Sequence, residues 1–127
     1  MTSIQSRLLL VEDVPVAQVA GKFLLNKLGF QVDTADNGAQ ALELTKENQY
    51  SLIFMDLGLP DMDGISVTQA IRNAPNSKNH KTIIIALTAH DEDVGKKICL
   101  ETGMSDLISK PLTEEKAKGI FEKYLSP

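Results

Sequence analysis

Residues 51–64 read Ser-Leu-Ile-Phe-Met-Asp-Leu-Gly-Leu-Pro-Asp-Met-Asp-Gly. An apolar run ends abruptly on an acid, and a stretch punctuated by Gly58, Pro60 and Gly64 follows. Ser51–Met55 is expected as a strand, Asp56 as the residue at its carboxyl end, and Leu57–Gly64 as a loop. A strand that delivers a carboxylate into a glycine-rich loop is a feature of sheets whose chemistry sits at the strand ends.

The same alternation repeats on both sides of this segment. Upstream, Arg7–Val11 reads as a buried strand that ends in Glu12 and Asp13. Val16, Val19, Ala20, Phe23, Leu24 and Leu28 then recur at helical spacing, with Pro15 where a first turn tolerates proline and Gly29 as the stop. Gln31–Ala35 alternates polar and apolar side chains like an edge strand. Asn37 is placed to cap a second helix carrying Ala41, Leu42 and Leu44. Downstream, Ile65, Val67, Ala70 and Ile71 begin a third helix, and Asn73–Lys81 reads as a loop. Thr82–Leu87 is the most β-branched strand and is followed by Thr88. Asp91, Glu92 and Asp93 favour the start of a fourth helix, which Gly95 weakens and Gly103 closes. Asp106–Ser109 is the fifth strand, followed by Lys110. Thr113 caps a last helix whose buried stripe is Ala117, Ile120, Phe121 and Tyr124.

Five strands alternating with five helices imply an α/β fold, a doubly wound parallel sheet covered on both faces. Five strands fit the flavodoxin-like (βα)5 order 2-1-3-4-5 better than the six-stranded dinucleotide order. Length and composition agree with one domain over residues 1–127: 43% of the residues are apolar and 24% charged. The apolar runs fall far short of the roughly 20 residues of a membrane span. The polar start, Met1–Ser6, carries no signal-peptide core, and the single cysteine, Cys99, permits no disulfide within the chain, so a cytoplasmic setting is expected. A net charge of −4 argues against direct nucleic-acid binding.

In the order 2-1-3-4-5 the first and third strands are neighbours, which brings Glu12, Asp13 and Asp56 into one crevice. Three close carboxylates resist ionisation unless cations compensate. Lys110 supplies one positive charge, and Mg²⁺, which binds through carboxylates, water and phosphate oxygens, would supply the rest. Aspartate carboxylates serve as nucleophiles that form aspartyl-phosphates. Thr88 and Lys110 would then contact the oxygens of a phosphoryl group.

Taken singly, Asp13 would serve as a helix cap, Asp56 as a loop-opening residue, Thr88 as a strand-end hydroxyl and Lys110 as a solvated lysine. Their meaning comes from facing one another, and Glu12 has no such local use. His90 reads as an exposed neighbour of the site and Cys99 as a small core residue. Asp61–Gly64 superficially resembles a calcium loop. With Gly64 in the loop's glycine position, however, Leu59 and Ala70 would fall on obligatory ligand positions, so Asp61 and Asp63 are read as turn residues.

Five motifs occur in order: Leu-Val-Glu-Asp ending at Asp13, Phe-Met-Asp ending at Asp56, Leu-Pro-Asp-Met-Asp-Gly ending at Gly64, Ala-Leu-Thr-Ala-His ending at His90 and Ile-Ser-Lys-Pro ending at Pro111. Together the chain resembles the receiver domains of bacterial response regulators and hybrid histidine kinases. The resemblance implies that Asp56 is the phosphoacceptor, becoming 4-aspartylphosphate. It implies that Glu12, Asp13, Asp56 and the main-chain carbonyl of Gly58 hold Mg²⁺, and that Thr88 and Lys110 contact the phosphoryl group. The Lys110–Pro111 bond is expected to be cis, and the donor to be a phosphohistidine on a histidine kinase or histidine phosphotransfer domain. The style of the motifs points to the receiver of a hybrid kinase in a phosphorelay, with a stand-alone response regulator as the alternative. On either reading the chain is a self-phosphorylating signalling module, not a metabolic enzyme.

Two positions depart from the family pattern. Leu107 stands where the family often has an aromatic switch residue, which also leaves open the weak homodimer common among relatives. Gly58 stands two residues after the phosphoacceptor, where many relatives carry a larger side chain. An aspartate-nucleophile phosphohydrolase would use similar metal chemistry but needs a second Asp at that position, and Gly58 counts against it.

Overall fold

A computed structural model describes residues 6–74, 77–89 and 93–125 of the 127-residue chain; for residues 93–96 it describes the backbone only. The strands are β1 (Arg7–Val11), β2 (Gln31–Ala35), β3 (Leu52–Asp56), β4 (Ile83–Thr88) and β5 (Asp106–Ser109). The helices are α1 (Pro15–Lys27), α2 (Gly38–Glu47), α3 (Gly64–Arg72), α4 (Asp93–Glu101) and α5 (Glu114–Tyr124). The five strands form one parallel sheet in the order β2-β1-β3-β4-β5, the expected doubly wound, flavodoxin-like topology.

The continuous apolar runs follow from that topology, because a sheet buried on both sides needs apolar residues at every position. Leu9, Val11, Ile53, Met55, Ile84 and Ala86 pack on one face with Ala41, Val67, Ile71 and Cys99 from α2, α3 and α4. Leu8, Leu10, Leu52, Phe54, Ile85 and Leu87 pack on the other with Leu25, Ala117 and Ile120 from α1 and α5. Each large side chain fully withdrawn from water contributes about 1.5–3 kcal/mol. The central strand β3 is buried along its whole length. Its rigidity fixes the position of Asp56.

The structure moves three expected boundaries. β3 and β4 run one residue later than the sequence suggests, so Asp56 and Thr88 are strand residues, paired with Leu87 and Ser109. α3 begins at Gly64, and Asp63 is its N-cap, accepting from the Ser66 amide at 2.7 Å. The apolar residues that mark α1 do not form its buried face. Gly21 and Leu25 are buried and Leu24 and Leu28 half-buried, while Val16, Val19 and Phe23 are 79%, 67% and 71% exposed. Helical spacing identified the helix, but its apolar residues extend well beyond the face the sheet covers.

Asn73–Lys81 holds a residue the sequence did not single out. Asn79 is fully buried; its side chain accepts from the Tyr50 amide (2.9 Å) and the Thr82 hydroxyl (3.0 Å) and donates to the carbonyls of Thr45 (2.7 Å) and Asn48 (2.6 Å). His90, Asp91 and Glu92 lie outside the described residues, as does the side chain of Asp93.

Candidate functional site

The carboxyl ends of β1, β3, β4 and β5 converge on one open cleft lined by Asp13, Asp56, Gly58, Thr88 and Lys110, among others. Glu12, Asp13 and Asp56 each place a carboxylate oxygen within 4.8 Å of the other two. Glu12 and Asp56 are each 3% exposed, which rules out solvation by bulk water as the way their charges are tolerated.

Local structure orients each group. The Glu12 amide donates to the Ala35 carbonyl at 3.0 Å, continuing the β1–β2 ladder past the last strand residue. Its Oε2 accepts from the Val14 amide at 3.1 Å. Asp56 Oδ1 accepts from the Gly58 amide at 2.9 Å. Gly64 lets the loop return past Asp56, since a Cβ there would collide with the Asp56 main-chain oxygen. The Lys110 amide donates to the Thr88 carbonyl at 2.7 Å, and the Lys110–Pro111 bond is cis. The side chain of Lys110 turns into the cleft, with Nζ 2.9 Å from Asp56 Oδ2 and 3.3 Å from Glu12 Oε1.

Electrostatics separates the two buried acids. Burial raises the Glu12 carboxyl above its usual range, with the Asp56 charge adding to it; the Val14 amide and Lys110 offset this only in part. Burial also works to raise Asp56, but the Gly58 amide and the Lys110 ammonium outweigh it and hold this carboxyl below the ordinary aspartate value. Burial disfavours the Lys110 charge, yet Asp56 and Glu12 overcome that and raise its pKa. Asp56 is therefore the more readily ionised of the buried pair. Its Oδ2 is paired with the Lys110 ammonium at 2.9 Å.

These features fit a divalent cation. Three carboxylates share this space with one ammonium, so the cluster is acidic beyond what Lys110 can balance. The donor set is all oxygen, as Mg²⁺ requires.

The structure thus brings Glu12, Asp13, Asp56, Gly58, Thr88 and Lys110 to one cleft, while His90 lies outside the described residues. Leu107 is half-buried and packs against the core layer under α3 and α4. Lys116 is a further participant that the sequence reading omitted. Its Nζ donates to the Ser109 carbonyl (2.8 Å), the Ser109 hydroxyl (3.1 Å) and the Pro111 carbonyl (3.2 Å), fastening the segment that carries Lys110. Its place was a signal, since a lysine in the first turn of a helix opposes the macrodipole and needs another reason to be there.

A buried aspartate beside a lysine, in an acidic cleft at the switch point of a doubly wound sheet, is an arrangement suited to a divalent cation and a phosphoryl group. Residues 8–122 match the response regulator receiver domain family, and the chain belongs to that family. Receiver domains are phosphorylation-controlled signalling modules of two-component systems. The chain is 38% identical over 121 residues to hybrid signal transduction histidine kinase F of Dictyostelium discoideum, covering 94% of this chain and 11% of that protein. It spans less than a fifth of the first histidine kinases it matches. The receiver domain of a Pseudomonas aeruginosa PAO1 sensor histidine kinase, solved with magnesium coordinated in its active-site cleft, superposes with a TM-score of 0.85 at 34% identity, covering 96% of this chain and 98% of that one. A chain of the Saccharomyces cerevisiae complex between a histidine phosphotransfer protein and the receiver domain of its downstream response regulator superposes with a TM-score of 0.84 at 29% identity, covering 94% and 88%.

Proposed function

We propose that residues 1–127 act as one receiver domain in which Asp56 accepts a phosphoryl group from a phosphohistidine, with Mg²⁺ held by Glu12, Asp13, Asp56 and the Gly58 carbonyl. The observation that carries this reading is the buried, ion-paired Asp56 carboxylate facing Glu12 and Asp13 across an open cleft. Bound magnesium would neutralise the excess carboxylate charge and the charge of the incoming phosphoryl oxygens.

The rest of the chemistry belongs to the chain. An Asp56 carboxylate oxygen attacks phosphorus, the bond from phosphorus to the donor imidazole nitrogen breaks, and its electron pair remains on that nitrogen. Lys110 follows the charge from the carboxylate to the transferred group, and Thr88 donates its hydroxyl to a phosphoryl oxygen. Gly58 contributes its backbone and leaves the approach to the acceptor clear of a side chain.

Incubation with acetyl phosphate and Mg²⁺ is expected to add one base-labile phosphoryl group, detected by intact mass. Asp56→Asn and EDTA should each abolish it. Labelling that persists in Asp56→Asn would refute the assignment.

The proposed donor is a histidine kinase or a histidine phosphotransfer domain in a cytoplasmic phosphorelay. The parent is proposed to be a hybrid histidine kinase, with a stand-alone response regulator as the second reading; matches to two hybrid kinases at 38% and 40% identity over 94% of this chain support the first. The exposed apolar face of α1 supports a protein donor. Val14, Pro15 and Val16 rise from the rim of the cleft and continue into Val19 and Phe23. A phosphohistidine in bonding range of Asp56 brings its carrier over this rim, where apolar contact is available. Val16→Ser with Phe23→Ser should slow transfer from a phosphorylated phosphotransfer domain at least about tenfold while leaving labelling by acetyl phosphate unchanged.

A further inference from the structure

Glu12 and Asp13 belong to the turn between β1 and α1, and Gly58 to the loop between β3 and α3. The sheet fixes where these segments start. It does not fix how far apart they stand once they leave their strands, and Mg²⁺ demands near-ideal octahedral geometry at about 2.0–2.1 Å. Both segments are tied to a third, the entry to α2, by side chains that do not line the cleft.

Asp61 makes the first tie. Its Oδ1 accepts from the Gly38 amide at 2.8 Å and its Oδ2 from the Ala39 amide at 3.0 Å. Gly38 and Ala39 are the first two residues of α2, and their amides have no partner within the helix. The side chain of the helix's own N-cap, Asn37, takes the Gln40 amide, at 2.8 Å. A carboxylate more than twenty residues along the chain therefore completes the cap, where the helix dipole also favours its charge. Asp61 Oδ1 accepts the Met62 amide as well, at 3.0 Å, stiffening the loop around it. These amides, Gly38 foremost, hold the Asp61 carboxyl below its ordinary range. Gly38 allows the close contact: a Cβ there would collide with Met62 Cγ.

Gln18 makes the second tie. Its Nε2 donates to the Glu12 carbonyl at 2.9 Å and to Asp36 Oδ1 at 2.7 Å, with the Ala35 carbonyl further off at 3.4 Å. The Asp36 amide in turn donates to Gln40 Oε1, in the first turn of α2, at 2.7 Å. The two ligand-bearing segments are thus braced against one helix end.

We infer that Asp61 and Gln18 are positioning residues for the metal site, setting Mg²⁺ affinity by holding the Gly58 loop and the Glu12–Asp13 turn at a fixed spacing through the N-terminal turn of α2. The inference rests on the proposed metal reading of Glu12, Asp13, Asp56 and Gly58. Neither side chain touches the ion or the phosphoryl group, so neither is catalytic. Their effect appears as metal affinity, because a loosened ligand set must be reordered each time the ion binds.

The test is a Mg²⁺ titration of acetyl phosphate labelling, with backbone amide NMR at Gly58 and Val14 and a melting temperature for each variant. Asp61→Ala should raise the half-saturating Mg²⁺ concentration roughly fivefold, and Gln18→Ala roughly threefold. Excess Mg²⁺ should restore the maximal labelling rate in both. Asp61→Asn keeps one acceptor oxygen in nearly the same volume and should fall between Asp61→Ala and the unaltered protein.

An unchanged half-saturation point in Asp61→Ala would overturn the inference. So would a labelling rate that stays depressed at every Mg²⁺ concentration in step with a lowered melting temperature, since that marks general destabilisation. If the unaltered protein shows no Mg²⁺ dependence, the metal reading fails and this inference with it. A normal wild-type titration that Asp61→Ala reproduces defeats this inference alone.

Discussion

Two polar clusters lie on the same sheet, and they differ in how completely their groups are satisfied. On β2, Asp33 Oδ2 accepts from Arg7 Nε at 2.9 Å and from the Tyr50 hydroxyl at 2.7 Å, and forms an ion pair with Arg7 Nη2 at 2.9 Å. The Arg7 guanidinium also sits 5.9 Å from the centroid of the Tyr50 ring. One carboxylate meets one guanidinium and one phenol, and nearby Asn79 ties the start of β3 to the loop before β4. At the carboxyl ends of the strands, three carboxylates meet one lysine. A saturated cluster stabilises and offers nothing to a ligand. An acidic cluster with too few cations costs stability and creates affinity for whatever supplies the missing charge.

If this contrast is right, mutations in the two clusters should move different observables. The largest effect on stability is expected at the saturated end. Asn79→Ala removes the partner of the Tyr50 amide and of two carbonyls in a buried position and should destabilise the fold by about 3 kcal/mol in urea. Below the melting transition the rate of labelling at Asp56 should be unchanged, and a loss of labelling with full stability would break the comparison.

Glu12→Gln should act in the opposite sense. A folded-state pKa raised above the unfolded value of 4.5 means that the native state resists ionisation of Glu12. Its ionisation therefore costs stability as pH rises from about 4.5 through the folded pKa, and that cost stays in place above it. In EDTA at neutral pH, Glu12→Gln should melt a few degrees above the unaltered protein, and the gap should close as the pH falls to the unfolded value. Mg²⁺ should stabilise the unaltered protein more than the variant, which differential scanning calorimetry would resolve. A variant that melts lower in EDTA would show that the acidic cluster is not under strain.

The smallest effect is expected at Tyr50→Phe, which removes one hydroxyl from Asp33 and leaves the Arg7 ion pair in place. A loss of about 1 kcal/mol is expected. Burial, the Asp33 hydrogen bond and the Asp33 charge all raise the Tyr50 pKa. The Tyr50 contribution is therefore full below pH 10.0, its unfolded value, and declines above it. Urea melts of both proteins at neutral and strongly alkaline pH should show the gap narrowing.

The site was more legible in the sequence than its supports. Glu12 and Asp13 follow one apolar run, Asp56 and Thr88 each end another, and Lys110 follows the short fifth strand, so four strand-end signals, combined with one topological rule, were enough to gather them. Asp61 and Asp63 carried no comparable signal. Each looks like a turn residue in its own neighbourhood, yet Asp63 caps its own helix and Asp61 caps a helix that precedes it by more than twenty residues. Asn79 sits in a polar stretch that reads as surface loop, and its partners at Thr45, Asn48 and Tyr50 are about thirty residues distant.

By itself the sequence determined the alternation of strand and helix, the double-faced burial of the sheet and the acids that end its strands. These depend on the order of apolar and polar residues within a few positions, and backbone geometry converts that order directly into structure. Only the tertiary structure decided which face of α1 stays open to solvent, which carboxylate is readily ionised and which distant side chain completes a helix end. Those outcomes depend on what another segment places opposite, and pattern within one segment does not encode its neighbour.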